Sequence, residues 1–109
     1  MIIDFNNIEE QVLPNFKGGE KEYIAKMQYD GSVRIMKGKL NPGASIGMHT
    51  HTDDMEVIFL TKGEATVIYD GQELKIKEGQ CHYCPKGHTH SFINSSDSVI
   101  EITAVVAKQ

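Results

Sequence analysis

Short apolar runs separated by glycine-containing turns recur through most of this 109-residue sequence. The runs are rich in β-branched and aromatic residues, which are enriched in strands. Asp30-Gly31 and Asp70-Gly71 are strong hairpin signals, because both residue types tolerate the positive φ angles of a tight turn. Short strands at regular spacing predict an all-β fold, either a barrel or a jelly roll. The predicted strands cover residues 23–29, 33–40, 55–61, 64–69, 73–76, 81–84, 90–93 and 99–106.

The beginning of the chain is weakly patterned. A chain of this length supports one hydrophobic core, so we expect a single domain over residues 1–109. Within it, residues 1–20 are expected to be an N-terminal extension and residues 21–107 the β-barrel. The stretch from Asn7 to Leu13 predicts one short helical turn before Pro14.

The most polar part of the pattern lies between Gly43 and Gly63. His49 and His51 are two positions apart, so on an extended strand both imidazoles point to the same face. Glu56 is an odd number of positions further on, which on an unbroken strand is the opposite face. The intervening Thr52-Asp53-Asp54 favours a turn that would bring Glu56 round to the imidazoles. Two imidazoles and a carboxylate suit a divalent transition metal.

A second segment has a Pro-x-Gly turn followed by a third histidine, His90. Together the two segments resemble the two signature motifs of the cupin family. The first motif, G-x5-H-x-H-x4-E-x6-G, is filled by Gly43, His49, His51, Glu56 and Gly63. The second motif, G-x5-P-x-G-x2-H-x3-N, is filled by Gly79, Pro85, Gly87, His90 and Asn94.

This resemblance implies a double-stranded β-helix, the jelly-roll barrel of a small single-domain cupin. It implies a divalent transition metal (Fe, Mn, Ni or Zn, the identity left open) and a structural role for Asn94. The expected ligands are His49, His51, Glu56 and His90. The alternative is a barrel that keeps these polar groups without a metal, but burying them unpaired would be costly.

Tyr83, His82 and Glu56 are candidate proton-transfer residues, and none of them is ranked above the others. His82 and His88 could each orient a metal ligand, although an ordinary strand or surface role is favoured for both. Cys81 and Cys84 form a C-x-x-C motif. Residues three apart on a strand face opposite sides, so two reduced, packed thiols are favoured over a redox pair or half of a zinc site.

Composition excludes several classes of function. A net charge of −4 argues against a nucleic-acid surface, which needs clustered Lys and Arg. No apolar run reaches membrane-spanning length, and the first residues lack the features of a signal peptide. The expected compartment is the cytoplasm.

Two functions remain open. One is a metal-dependent enzyme, of oxygenase or isomerase type, acting on a small polar metabolite. The other is a non-catalytic module that binds or senses a small ligand. Arg34 and Lys39 are the candidates to bind a carboxylate. Resemblance to small cupins also implies a homodimer, with residues 23–29 as an exposed edge strand available for pairing.

Overall fold

The computed structural model describes residues 1–109 as ten strands and two short 3-10 helices, Phe5–Asn7 and Phe16–Gly18. The strands are β1 (Gln11–Pro14), β2 (Glu22–Tyr29), β3 (Val33–Leu40), β4 (Ser45–Thr50), β5 (Asp54–Lys62), β6 (Glu64–Tyr69), β7 (Gln72–Lys77), β8 (Cys81–Cys84), β9 (Thr89–Ile93) and β10 (Ile100–Lys108).

The strands form two antiparallel sheets. The larger has six strands in the order β1-β2-β3-β10-β5-β8, and the smaller has four in the order β4-β9-β6-β7. The predicted all-β jelly-roll barrel is therefore confirmed. Asp70 and Gly71, which join β6 to β7, both have positive φ angles of 48° and 79°. This is the conformation that the Asp-Gly hairpin signal predicts.

The inward faces of the two sheets enclose the core. Its largest fully buried side chains include Tyr23, Phe92, Leu40, Ile58 and Ile102. Gly38 in the middle of β3 makes room for Tyr23, because a Cβ atom on Gly38 would lie 2.4 Å from the Tyr23 ring. No helix in the structure has the length and apolar character needed to cross a membrane.

The start of the chain differs from the sequence prediction. Asp4 caps a 3-10 helix at Phe5–Asn7, and the predicted helical turn over residues 7–13 is wrong, since Gln11–Pro14 is a strand. This strand pairs antiparallel with β2. The prediction that residues 23–29 form an exposed edge is therefore wrong for residues 23–25, where β1 pairs with the backbone. Residues 26–29 have no strand on that side and remain an edge.

Candidate metal centre

Strand β4 brings the first two histidines into the barrel. His49 pairs in register with His90 on β9 across a bulge between Ile46 and His49. His51 follows the strand, and its backbone N–H donates to the His88 carbonyl at 3.0 Å. Gly47 on β4 has no side chain, and a Cβ atom there would lie 2.1 Å from the Lys17 carbonyl oxygen. The short helix containing Lys17 can therefore pack directly against β4.

Glu56 joins the histidines from β5. The chain turns between the end of β4 at Thr50 and the start of β5 at Asp54, which resets the alternation of faces. Glu56 Oε1 then lies 3.0 Å from His90 Nε2, 3.3 Å from His51 Nε2 and 3.9 Å from His49 Nε2. The prediction that a turn brings Glu56 round to the imidazoles is confirmed.

These four side chains, which we call the metal group, point one donor atom each at a common centre. His90 Nε2 lies 3.0 Å from His51 Nε2 and 3.2 Å from His49 Nε2. Metal–nitrogen bonds of about 2.1 Å place neighbouring donors about 3.0 Å apart at right angles and about 3.4 Å apart in a tetrahedron. Four of these five donor distances, all but the 3.9 Å between His49 and Glu56, match the coordination shell of a first-row transition metal.

The outward-facing nitrogens of the three imidazoles each have a different partner. His49 Nδ1 lies 2.7 Å from the Gly47 carbonyl oxygen, and His51 Nδ1 lies 2.6 Å from Asp54 Oδ1. His90 Nδ1 lies 3.0 Å from His82 Nε2. Such partners favour a proton on each Nδ1, so a metal at the centre would replace only the Nε2 protons that His51 and His90 donate to Glu56. Three imidazole nitrogens and a carboxylate converge there, so a cation would complement the centre.

The pKa shifts follow from this crowding. Burial alone would raise the pKa of Glu56, but hydrogen bonds from His51 and His90 outweigh it and lower that pKa to about 2. The hydrogen bond to Glu56 raises the pKa of His51, with Asp54 adding to the effect. Burial lowers the pKa of His49. Glu56 is therefore anionic at neutral pH and available to a metal.

Two of the candidate proton-transfer residues, His82 and Tyr83, lie on opposite faces of β8. His82 is 8% exposed and touches His90, so it orients a member of the metal group. Burial lowers its pKa to about 4, which keeps it neutral. Tyr83 is 48% exposed on the outer face, where its hydroxyl accepts a hydrogen bond from Gln109. Tyr83 is therefore outside the site.

Four other residues singled out in the sequence lie apart from the metal group or support it indirectly. His88 is partly exposed and contacts Asp70 and Tyr69. Cys81 is exposed and Cys84 is buried, so the two free thiols lie on opposite faces as their spacing predicts, but the prediction that both are packed is wrong for Cys81. Asn94 is fully buried and donates to the carbonyls of Leu40 and Ser98, which makes it structural.

A cavity of about 380 Å³ opens onto the metal group. Arg34 and Tyr23 line it, whereas Lys39 lies outside and pairs with Glu10 at 3.7 Å. Tyr23 was not identified from the sequence, although its place on an alternating strand could have indicated an inward face. Asp54, the partner of His51, was also missed. Its signal was only a carboxylate three positions after a candidate ligand.

A family model for the cupin domain matches residues 36–106, well over half of the chain. The chain belongs to the cupin family. This cupin is 27% identical to the oxalate-binding protein of Thermotoga maritima, over 97% of this chain and 93% of that protein.

Solved structures agree on the fold of this cupin. A Thermotoga maritima protein described as a predicted oxalate decarboxylase superposes with a TM-score of 0.92 at 25% identity, covering both chains completely. A cupin sugar phosphate isomerase from Silicibacter pomeroyi superposes with a TM-score of 0.81 at 19% identity, covering all of this chain and 76% of the other. The second likeness concerns the fold alone.

Proposed function

We propose that this cupin holds one divalent transition metal and uses it to bind a small oxygen-donor ligand of the oxalate type. The observation that carries the proposal is the convergence of His49, His51, Glu56 and His90 beside an open cavity. Four donors leave positions free on an octahedral ion for a bidentate ligand. The similarity to an oxalate-binding protein supports the choice of ligand.

The protein's own residues prepare the site for this chemistry. Gly47 carbonyl, Asp54 and His82 fix the three imidazole rings, so no reorganisation is needed when the ligand enters. A divalent ion held there supplies a Lewis acid that polarises carboxylate or carbonyl oxygens. We place binding first, since neither of the proton-transfer candidates on β8 lines the cavity: Tyr83 faces the outer side, and His82 lies behind His90.

Metal analysis of untagged protein, purified without chelator, tests the metal site. We expect about one metal per chain in the native protein and a clearly lower metal content in His51→Ala, because a site with one donor fewer binds the metal more weakly. His88→Ala is the matched control, since His88 lies outside the metal group and should leave the metal content unchanged.

Equal metal content in His51→Ala and the native protein would contradict the proposed site. With the metal loaded, calorimetric titration with oxalate then measures ligand binding. Loss of oxalate over time, with release of product, would instead favour an enzyme. Product formation from hydroxy ketones, measured with and without oxygen on the metal-loaded protein, tests the oxygenase and isomerase alternatives.

We also propose that the chain forms a homodimer through the outer face of the larger sheet. Phe59 is 46% exposed there, beside Tyr83, Val57 and Val105 on paired strands. Such a contiguous apolar face is typical of a protein interface.

Light scattering should give a dimeric mass for the native protein and a monomeric mass for Phe59→Lys. Val12→Lys, on the edge strand β1, is the control and should remain dimeric. A monomeric native protein would rule the dimer out.

A further inference from the structure

Arg34 is the only arginine in the sequence. It lies on the same face of β3 as Met36 and Leu40, which are buried in the core. The same cavity that opens onto the metal group is lined by Arg34. Arg34 is half-buried at the mouth of this cavity, and a partly desolvated guanidinium there is most stable when an anion pairs with it.

The protein holds the Arg34 side chain but does not neutralise it. Its guanidinium lies 4.4 Å from the centre of the Tyr29 ring, and Nη1 lies 3.7 Å from Met27 Sδ. Tyr29 and Arg34 are directly paired across β2 and β3, so the stacking follows from the register. None of the ion pairs within 4.0 Å in the structure includes Arg34. Stacking on Tyr29 holds the planar guanidinium in place and leaves its N–H donors available to an anion.

Arg34 and the metal group lie in one row across the sheet. Val106 on β10 pairs with Arg34 on one side and with Glu56 on the other. Adjacent strands are about 4.8 Å apart, so the backbones at Arg34 and Glu56 are about 10 Å apart. Both side chains project into the same cavity, which leaves space between them for a molecule of a few heavy atoms.

We infer that Arg34 binds a carboxylate of the ligand while the ligand's other oxygens coordinate the metal. This inference rests on the proposed function and narrows its ligand class to small carboxylates with a second oxygen donor, such as a dicarboxylate or a 2-oxo acid. A planar guanidinium pairs with a carboxylate through two parallel hydrogen bonds, which adds orientation as well as affinity.

The other charged residues in the cavity wall are less suited to this role. Lys17 is exposed, and its ammonium lies 5.6 Å from the centre of the Phe16 ring. Asp54 is bonded to His51, and Asp53 is exposed. Both aspartates would repel an anion. Arg34 is therefore the group that can make the electrostatic potential positive where a carboxylate enters.

Cobalt(II)-loaded protein provides the test, because its visible absorption reports ligand coordination. Oxalate and imidazole are titrated separately into the native protein, Arg34→Gln, Arg34→Lys and the matched control Lys17→Gln. We expect the Kd for oxalate to rise about 10- to 100-fold in Arg34→Gln. The Kd of Arg34→Lys should lie between those of the native protein and Arg34→Gln, because lysine keeps the charge but lacks the paired N–H donors of the guanidinium. Imidazole, a neutral ligand that needs only the metal, should bind all four proteins equally.

The role of Arg34 would be overturned if Arg34→Gln bound oxalate as tightly as the native protein. It would also be overturned if Lys17→Gln lost as much oxalate affinity as Arg34→Gln. An equal loss of imidazole affinity would also overturn it, because the substitution would then act through the metal. Failure of the native protein to take up cobalt would instead contradict the proposed metal site. The two proposals therefore fail in different measurements.

Discussion

The two ends of the barrel interior are built from the same strands and have opposite character. Inward-facing residues change from polar to apolar within two positions on two of the strands: Glu56 is followed by Ile58 and Leu60 on β5, and Arg34 by Met36 and Leu40 on β3. The apolar end buries side chains that stabilise the fold. The polar end buries charge, and every buried side-chain polar atom there has a hydrogen-bond partner. Residues that stabilise the fold and residues placed to bind a ligand are therefore separated along the barrel axis.

The largest expected effect comes from weakening the apolar end. Ile102 on β10 is 1% exposed, and no residue of that strand belongs to the metal group. Ile102→Ala should lower the free energy of unfolding by about 2–5 kcal/mol, through lost burial and the cavity left behind. Metal content of the folded protein should be unchanged. Chemical denaturation of the metal-free protein measures the loss.

Val106→Ala is the matched control, because Val106 lies on the same face of β10 at the polar end and is only partly buried. It should cost clearly less stability than Ile102→Ala. Equal losses from the two substitutions would contradict the separation between the two ends.

A smaller effect is expected from acid at the polar end. The pKa of Glu56 is about 2 in the folded protein, against an ordinary value of 4.5. A lowered pKa stabilises the fold above the unfolded value, so this stability is complete above pH 4.5 and is lost as the pH falls toward 2. The loss is at most about 3 kcal/mol.

Unfolding of metal-free protein at several pH values between 6 and 2.5, roughly spanning this titration, measures the effect. Glu56→Gln lacks the titrating group, so its stability should depend less steeply on pH over the same range. Parallel curves for the two proteins would show that Glu56 makes no such contribution.

The smallest of the three effects concerns His82, whose contact with the metal group is a hydrogen bond to the outer nitrogen of His90. His82→Ala should weaken metal affinity about 10- to 100-fold, because His90 loses the partner that fixes its ring. Tyr83→Phe, one position away on the outer face, should leave the affinity unchanged. Competition with a chelator of known affinity measures both. A loss confined to Tyr83→Phe would contradict the assignment of faces on β8.

Much of the fold was predictable because its signals are local. Alternating strands, the Asp-Gly hairpin at Asp70 and the turn before Glu56 each depend on a few neighbouring residues. The strand at Gln11–Pro14 was not predictable in this way, because it forms only by pairing with β2. For His82, the favoured interpretation was an ordinary strand histidine, and its contact with His90 depends on the pairing of β8 with β5.

The sequence by itself determined the donor types of the metal group, their spacing and the turns that carry them. Only the tertiary structure decided which side chains share the cavity. Arg34 faces inward while Lys39, five positions later, faces outward, and His82 faces inward while Tyr83 faces outward. The two-residue period of a strand fixes which residues lie on opposite faces. Which of those faces is buried depends on pairing and sheet packing between residues distant in sequence.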